Sequence, residues 1–187
     1  KKDFLTNNYK NLKLEKKFLT SSNKEYVKSF LRNPLINNTE ILEVHNRPNY
    51  IKQIKENYNN KIFLYFHNDP LTMNGSKTEQ ERDYLIRNID KIIFNSSWSR
   101  ERFFLNSKFK SMMLNKSEIC YQSTSKVSVN FKKKKKLITF IGKLNTAKGF
   151  DIFGKAIIKI LNKHNDWKAY IIGDEPREKI FFKHKNI

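Results

Sequence analysis

At 187 residues, 38% hydrophobic and with 15 phenylalanines, the chain is long enough to bury a core and too apolar to be a disordered tail. Its formal net charge of +20, from 38 Lys and Arg against 18 Asp and Glu, attracts phosphate of any kind, in nucleic acid, anionic lipid or nucleotide, and is equally what a lysine-rich solvated surface carries. A single cysteine, Cys120, excludes an intramolecular disulfide and every Cys/His zinc spacing and points to a reducing compartment; the lack of an apolar run of about 18 residues argues for a protein that is soluble or lies on a membrane without crossing it.

The first 38 residues carry little pattern beyond a helix expected at KEYVKSFLR (24–32). EILEVH (40–45) then reads as a strand, followed by an amphipathic helix with Pro48 in its first turn and Ile51, Ile54 and Tyr58 at three- and four-residue spacing. KIFLYFH (61–67), an unbroken apolar run stopped by Asn-Asp-Pro, predicts a strand buried on both faces. A helix over Thr78 to Asn88 turns Tyr84 and Leu85 inward, KIIFN (91–95) is a third strand, and SSWSRERFF (96–104) is a serine-capped helix with Trp98 assigned to the core. Three strand-helix units in succession imply a parallel sheet.

From Ser107 the pattern loosens, with SEICYQ (117–122) as one more candidate strand and STSKVSVNFKKKKK (123–136) as a polar linker ending in lysines. The alternation restarts with KLITFIG (136–142) as a strand. A helix comes next with Phe150, Phe153, Ile157, Ile160 and Leu161 on one face, then the strand WKAYIIGD (167–174) and the start of a further helix at PREKIFFK (176–183).

The strand-to-helix junction FIGKLNTAKGFDIF (140–153) places two of only 5 glycines beside two lysines. In open α/β sheets, ligands sit beyond the carboxyl ends of the strands, where helix N-termini present backbone N–H groups to phosphate. Gly142 permits close backbone approach, and Lys143 and Lys148 flank the position an anion would take. The stretch is neither GxxxxGK[ST] nor GxGxxG, so it is not a P-loop or a dinucleotide fingerprint. In the first half, His45 and His67 each end a strand and each begins a His-Asn loop, so two histidines fall at the same end of neighbouring strands.

The run from Ile138 to Pro176 resembles the first βαβ unit of the donor-binding domain of GT-B retaining glycosyltransferases of the glycosyltransferase 4 family. The pieces that carry the resemblance are Gly142-Lys143-Leu144, Lys148-Gly149, His164-Asn165-Asp166-Trp167 and Ile172-Gly173-Asp174. It implies an α/β, GT-B architecture of two Rossmann-like parallel-sheet domains, both incomplete: a partial acceptor-side domain over 1–122, a basic linker over 123–135 and the opening of a nucleotide-sugar donor domain over 136–187. By the same resemblance, Gly142, Lys143 and Lys148 hold the donor diphosphate, with Arg177 as a third candidate cation. His67 is the catalytic candidate near the reacting centre, and His45, Arg47 and Asn68 line the acceptor side.

The implied reaction moves a hexosyl group, with retention, from a nucleotide-diphosphate sugar to an acceptor hydroxyl in lipopolysaccharide, polysaccharide or glycolipid synthesis. No metal and no cofactor beyond that substrate are expected, and the implied location is cytoplasmic, peripheral on the inner face of an anionic membrane. Two features depart from the family: no pair of glutamates has the Glu-x7-Glu spacing, and no glycine-rich loop follows a first strand. Both are expected of a fragment that begins inside the acceptor domain and stops early in the donor domain. Two alternatives remain: a basic α/β nucleic-acid-binding protein, disfavoured because no recognised module is present, and a non-catalytic remnant of the same fold.

Overall fold

The computed structural model describes residue 12 and residues 21–107, 115–128 and 130–187; residues 108–114 and Val129, within the loosely patterned stretch and the expected linker, lie outside them. Two compact units are present, Lys1–Thr124 and Ser125–Ile187. Both are α/β units built on parallel strands.

In the first unit β1 (Ile41–His45), β2 (Lys61–Phe66), β3 (Lys91–Phe94) and β4 (Ser117–Ile119) pair in sequence order, all parallel. Parallel neighbours need a crossover segment, and the helices of this unit each have their own start signal. Ser21 caps α1 (Ser22–Leu31) by accepting from the Lys24 N–H at 3.3 Å. Pro48 opens a short 3-10 turn that runs into α2 (Ile51–Lys55). Thr78 and Glu81 form a reciprocal capping box ahead of α3 (Glu79–Asn88), with bonds of 3.2 and 3.0 Å. Ser96 caps α4 (Ser97–Phe103) through the Ser99 N–H.

The core lies between these helices and the sheet, with Ile51, Ile62, Leu64, Phe66 and Phe94 at 0–1% exposure. Phe103 of α4 tilts against both Phe66 and Phe94, each at 5.4 Å between ring centroids. One face of β2 is buried as predicted, but Phe63 and Tyr65 on the other are only half-buried, and Tyr65 there joins a stack of polar rings. Trp98 is not in the core: α4 buries Ser99 and Phe103, one turn apart, which turns Trp98 outward at 55% exposure with the Arg102 guanidinium 5.7 Å from its ring centroid.

In the second unit β5 (Leu137–Ile141) and β6 (Lys168–Ile172) pair in parallel, joined through α5 (Phe150–Lys163). The buried stripe of α5 is Phe150, Gly154, Ile157 and Leu161, spaced four, three and four. Ile160 falls at the edge of that stripe and is 37% exposed, so the predicted apolar face is narrower than expected. The predicted helix at 176–183 does not form. Instead a turn at Pro176 sends the chain back over α5, where Phe182 packs edge-on to Phe150 in the gap above Gly154. Asn186 then fastens this segment to β6: its carbonyl accepts from Ala169 N–H at 2.8 Å, and its side-chain amide donates to the carbonyls of Asn165 and Trp167. The far face of the two-stranded sheet leaves Ile141, Tyr170 and Ile172 exposed. Among the described residues, no helix is long and apolar enough to cross a membrane.

The loops that leave β5 and β6 touch at two glycines. A Cβ at Gly173 would stand 1.7 Å from the Gly142 carbonyl oxygen, a backbone atom that cannot step aside. Gly173→Ala is therefore expected to cost the second unit about 1–3 kcal/mol, the usual range for forced overpacking. Thermal unfolding followed by circular dichroism would register this as a lowered Tm; an unchanged Tm would refute the close approach.

Candidate functional site

Because the four strands described in the first unit run parallel, their carboxyl ends open on one edge, and four polar residues meet there. His45 ends β1, His67 follows β2, Asn95 follows β3 and Gln122 lies just past β4. The His45 Nδ1 and His67 Nε2 atoms are 2.9 Å apart, and Gln122 Nε2 lies 2.7 Å from His67 Nδ1. Both ring nitrogens of His67 are thus engaged within the protein. The rings of Tyr65, His45 and His67 stack, with His45 4.5 Å from Tyr65 and 5.2 Å from His67 between centroids.

Neighbouring asparagines hold this arrangement. Asn46 adopts a left-handed conformation, φ 56°, which turns its side chain back to accept from the His67 N–H at 2.9 Å. From the other side, Asn95 donates to the His67 carbonyl at 2.9 Å. At the outer end, His45 Nε2 lies 3.5 Å from a Glu43 carboxylate oxygen, and the Tyr65 hydroxyl donates to the other oxygen of Glu43 at 3.2 Å. Burial, and then the Glu43 carboxylate, raise the Tyr65 phenol pKa, so it remains a donor.

Of the other expected residues here, Arg47 is exposed and donates to the Asn46 carbonyl at 2.8 Å, and Asn68 is exposed. Asp69 shapes the turn, capping the Pro70–Thr72 segment through the Leu71 N–H at 3.0 Å and pairing with Arg102 at 3.0 Å. Burial opposes its charge, but the hydrogen bonds from Arg102 and Leu71 prevail and hold the carboxyl below its ordinary value. His45 and Arg47 also line a cleft of about 270 Å³ walled by Tyr26, Phe30 and Tyr50.

In the second unit the loop after β5 is the one the glycines and lysines mark. Gly142 N–H donates to the Ile172 carbonyl at 3.0 Å, extending the parallel pairing into the loop. Asn145 organises the turn into α5: its side-chain oxygen accepts from Lys148 N–H at 3.1 Å and its carbonyl from Phe150 N–H at 3.2 Å, which lifts the backbone into the helix. Gly149, at φ 71°, supplies the left-handed residue at that join.

The loop after β6 braces this turn. The Asn145 side-chain amide donates to Glu175 at 3.4 Å, and the Thr146 N–H donates to Glu178 at 3.0 Å. Arg177 is taken by the buried Glu175, with contacts of 2.8 and 3.0 Å, and that pairing brings the Glu175 pKa down to about 2. Lys143 and Lys148 are both exposed, and no ion pair among the described residues uses either ammonium.

Sequence reasoning missed Glu43, Asn46, Asn95 and Gln122. Position relative to the strands was the available signal, since Asn46, Asn95 and Gln122 all sit within three residues of a strand's carboxyl end.

Comparison with known proteins adds a finding for the second unit. Residues 122–186 match the model of the family described as glycosyl transferases group 1, a span that includes Gly142, Lys143 and Lys148. No curated protein matches the chain. Among solved structures, the chain is similar to one of accessory secretory protein 1, 2 and 3 in Streptococcus pneumoniae, at 10% identity and a TM-score of 0.49, covering 82% of this chain. This chain spans 36% of the length of that one.

Burial, and then the neighbouring His45, lower the His67 pKa from its ordinary 6.5. The folded unit therefore binds fewer protons than the unfolded chain just below that value. The contribution is present in full above about pH 6.5 and is lost as pH falls through the folded-state pKa. We expect Tm to fall between pH 7 and pH 5 and His67→Gln to flatten that slope; equal slopes in parent and variant would contradict this.

Proposed function

We propose that the protein takes part in glycosyl transfer from a nucleotide-diphosphate sugar. The observation that carries the reading is the match over residues 122–186 to glycosyl transferases group 1, falling on a loop where two exposed lysines flank an ordered turn at a strand's carboxyl end. Lys143 and Lys148 would hold the diphosphate and offset the charge it gains as the bond to the anomeric carbon breaks. Lysine keeps the charge an arginine would bring but lacks its bidentate fork. The new bond forms to an acceptor hydroxyl oxygen, whose proton is released, and retention is expected from the family resembled.

On this reading the first unit is the acceptor side of a GT-B protein, with His67, His45, Arg47 and Asn68 at the open edge of its sheet. Its four parallel strands, and the parallel pair of the second unit, fit that architecture. The acceptor would be a glycan or a lipid-linked sugar, and a net charge of +20 favours docking on an anionic membrane surface from the cytoplasmic side. No metal or further cofactor enters the scheme.

A thermal-shift series with UDP, GDP and ADP tests the donor site, since a ligand at one hundred times its Kd stabilises by about 2.7 kcal/mol. We expect at least one diphosphate to raise Tm, and Lys143→Ala and Lys148→Ala each to weaken it about tenfold or more, in keeping with about 1.5–3 kcal/mol for a charge-assisted bond. If no diphosphate acts and the chain instead binds DNA or RNA with a steep salt dependence, the nucleic-acid alternative holds.

A further inference from the structure

An amide nitrogen can only donate, so Gln122 Nε2 at 2.7 Å makes His67 Nδ1 an acceptor. Neutral His67 then carries its proton on Nε2 and donates it to His45 Nδ1 at 2.9 Å. His45, accepting at Nδ1, carries its own proton on Nε2, which lies 3.5 Å from the Glu43 carboxylate. The three contacts form one polarised chain, Gln122 to His67 to His45 to Glu43, in which each donor fixes the tautomer of the next ring. Its inner end is half-buried at His67, and its outer end is open: the side chains of His45 and Glu43 are 49% and 52% exposed. The final step, 3.5 Å, is too long for a strong hydrogen bond, so the His45 Nε2–H and the carboxylate stand side by side as an underused donor and acceptor. A hydroxyl group is both donor and acceptor, and it satisfies the two together.

We propose that His45 Nε2–H and the Glu43 carboxylate form the contact for a sugar hydroxyl of the acceptor, and that Gln122 and His67 are positioning residues that set the His45 tautomer. The ligand class rests on the glycosyl-transfer reading; the tautomer chain does not. His67 acts through His45, because a direct contact from His67 would have to break one of its two existing bonds. The cleft bordered by His45, Glu43 and Arg47, with Tyr26, Phe30 and Tyr50 as its aromatic wall, offers flat faces to the ring that bears the hydroxyl.

Nitrogen-15 NMR of the histidine rings in the intact chain tests both halves. We expect both Nδ1 atoms unprotonated and both Nε2 atoms protonated at pH 7.5, and Gln122→Leu to mix the tautomers of both rings with thermal stability retained. A proton on His67 Nδ1 in the parent, or unchanged tautomers in Gln122→Leu, would overturn the positioning chain. Titration with a panel of methyl glycosides at millimolar concentration should then move His45 Nε2 ahead of any His67 signal, and Glu43→Gln should abolish that response. Expected tautomers with no glycoside response at His45 would overturn the hydroxyl contact. Failure of the glycosyl-transfer reading shows separately, in the diphosphate series, which involves none of these residues.

Discussion

Parallel strand pairing is the constraint on which both candidate sites depend. A parallel sheet returns the chain to the same starting edge before every strand, so every loop that leaves a strand opens on the opposite edge. In the first unit this brings Gln122 to His67 across 55 residues and His67 to His45 across 22. An antiparallel arrangement would have sent alternate loops to opposite ends and separated the two histidines. The register matters as much as the direction: His45 pairs with Tyr65, so His45, Tyr65 and His67 project from one face and stack.

The same constraint acts in the second unit through backbone rather than side chains. Ile141 pairs with Ile172, and the next residue on each strand is a glycine. Close approach at Gly142 and Gly173 keeps the two loops together as they leave the sheet, which lets Glu175 and Glu178 reach back to Asn145 and Thr146. The loop that holds Lys143 and Lys148 is therefore ordered by its neighbour. Its backbone is fixed while the side chains of Lys143 and Lys148 are exposed.

Much of the fold was legible in the sequence because its strands are short apolar runs and α1, α3 and α4 start on side-chain caps. All six strands among the described residues fall where the apolar runs predict them, and Ser96 caps its helix as read. The failures have local causes. Residue type suggests a buried Trp98 and a helix at 176–183, whereas position on the helix decides the first and tertiary contacts the second; Ile160 shares the apolar face by spacing but falls at its edge. Phe181 and Phe182 have an apolar look suited to a helix, yet the bonds from Asn186 to the Trp167 carbonyl and β6, and the gap over Gly154, hold that segment out of one. The histidines could be found from their strand ends. Of their partners, Gln122 shares that strand-end signal, but Glu43 lies inside β1 and gains its significance only from the pairing register that sets Tyr65 beside His45.

Charge shows the limit of composition from the other direction. Thirty-eight basic residues cannot all mark a ligand, and beyond the glycine-flanked Lys143 and Lys148 the sequence gives little means to rank them. Pairing ranks them. Arg102 is committed to Asp69 and Arg177 to Glu175, each with the two-nitrogen fork that suits a guanidinium to structural work, and Arg87 Nε donates to both oxygens of Asp83. Glu175 pairs with Arg177, and the nearby Lys143 adds its charge to that carboxylate without an ion pair among the described residues. A lysine is a point charge on a flexible stem, so alone it attracts a phosphate without orienting it. On the proposed function, two lysines set at the two ends of a turn that Asn145 has fixed would do both, because the turn fixes the separation of their stems. On that reading, the orientation that a single arginine supplies through its fork would here be a property of the loop.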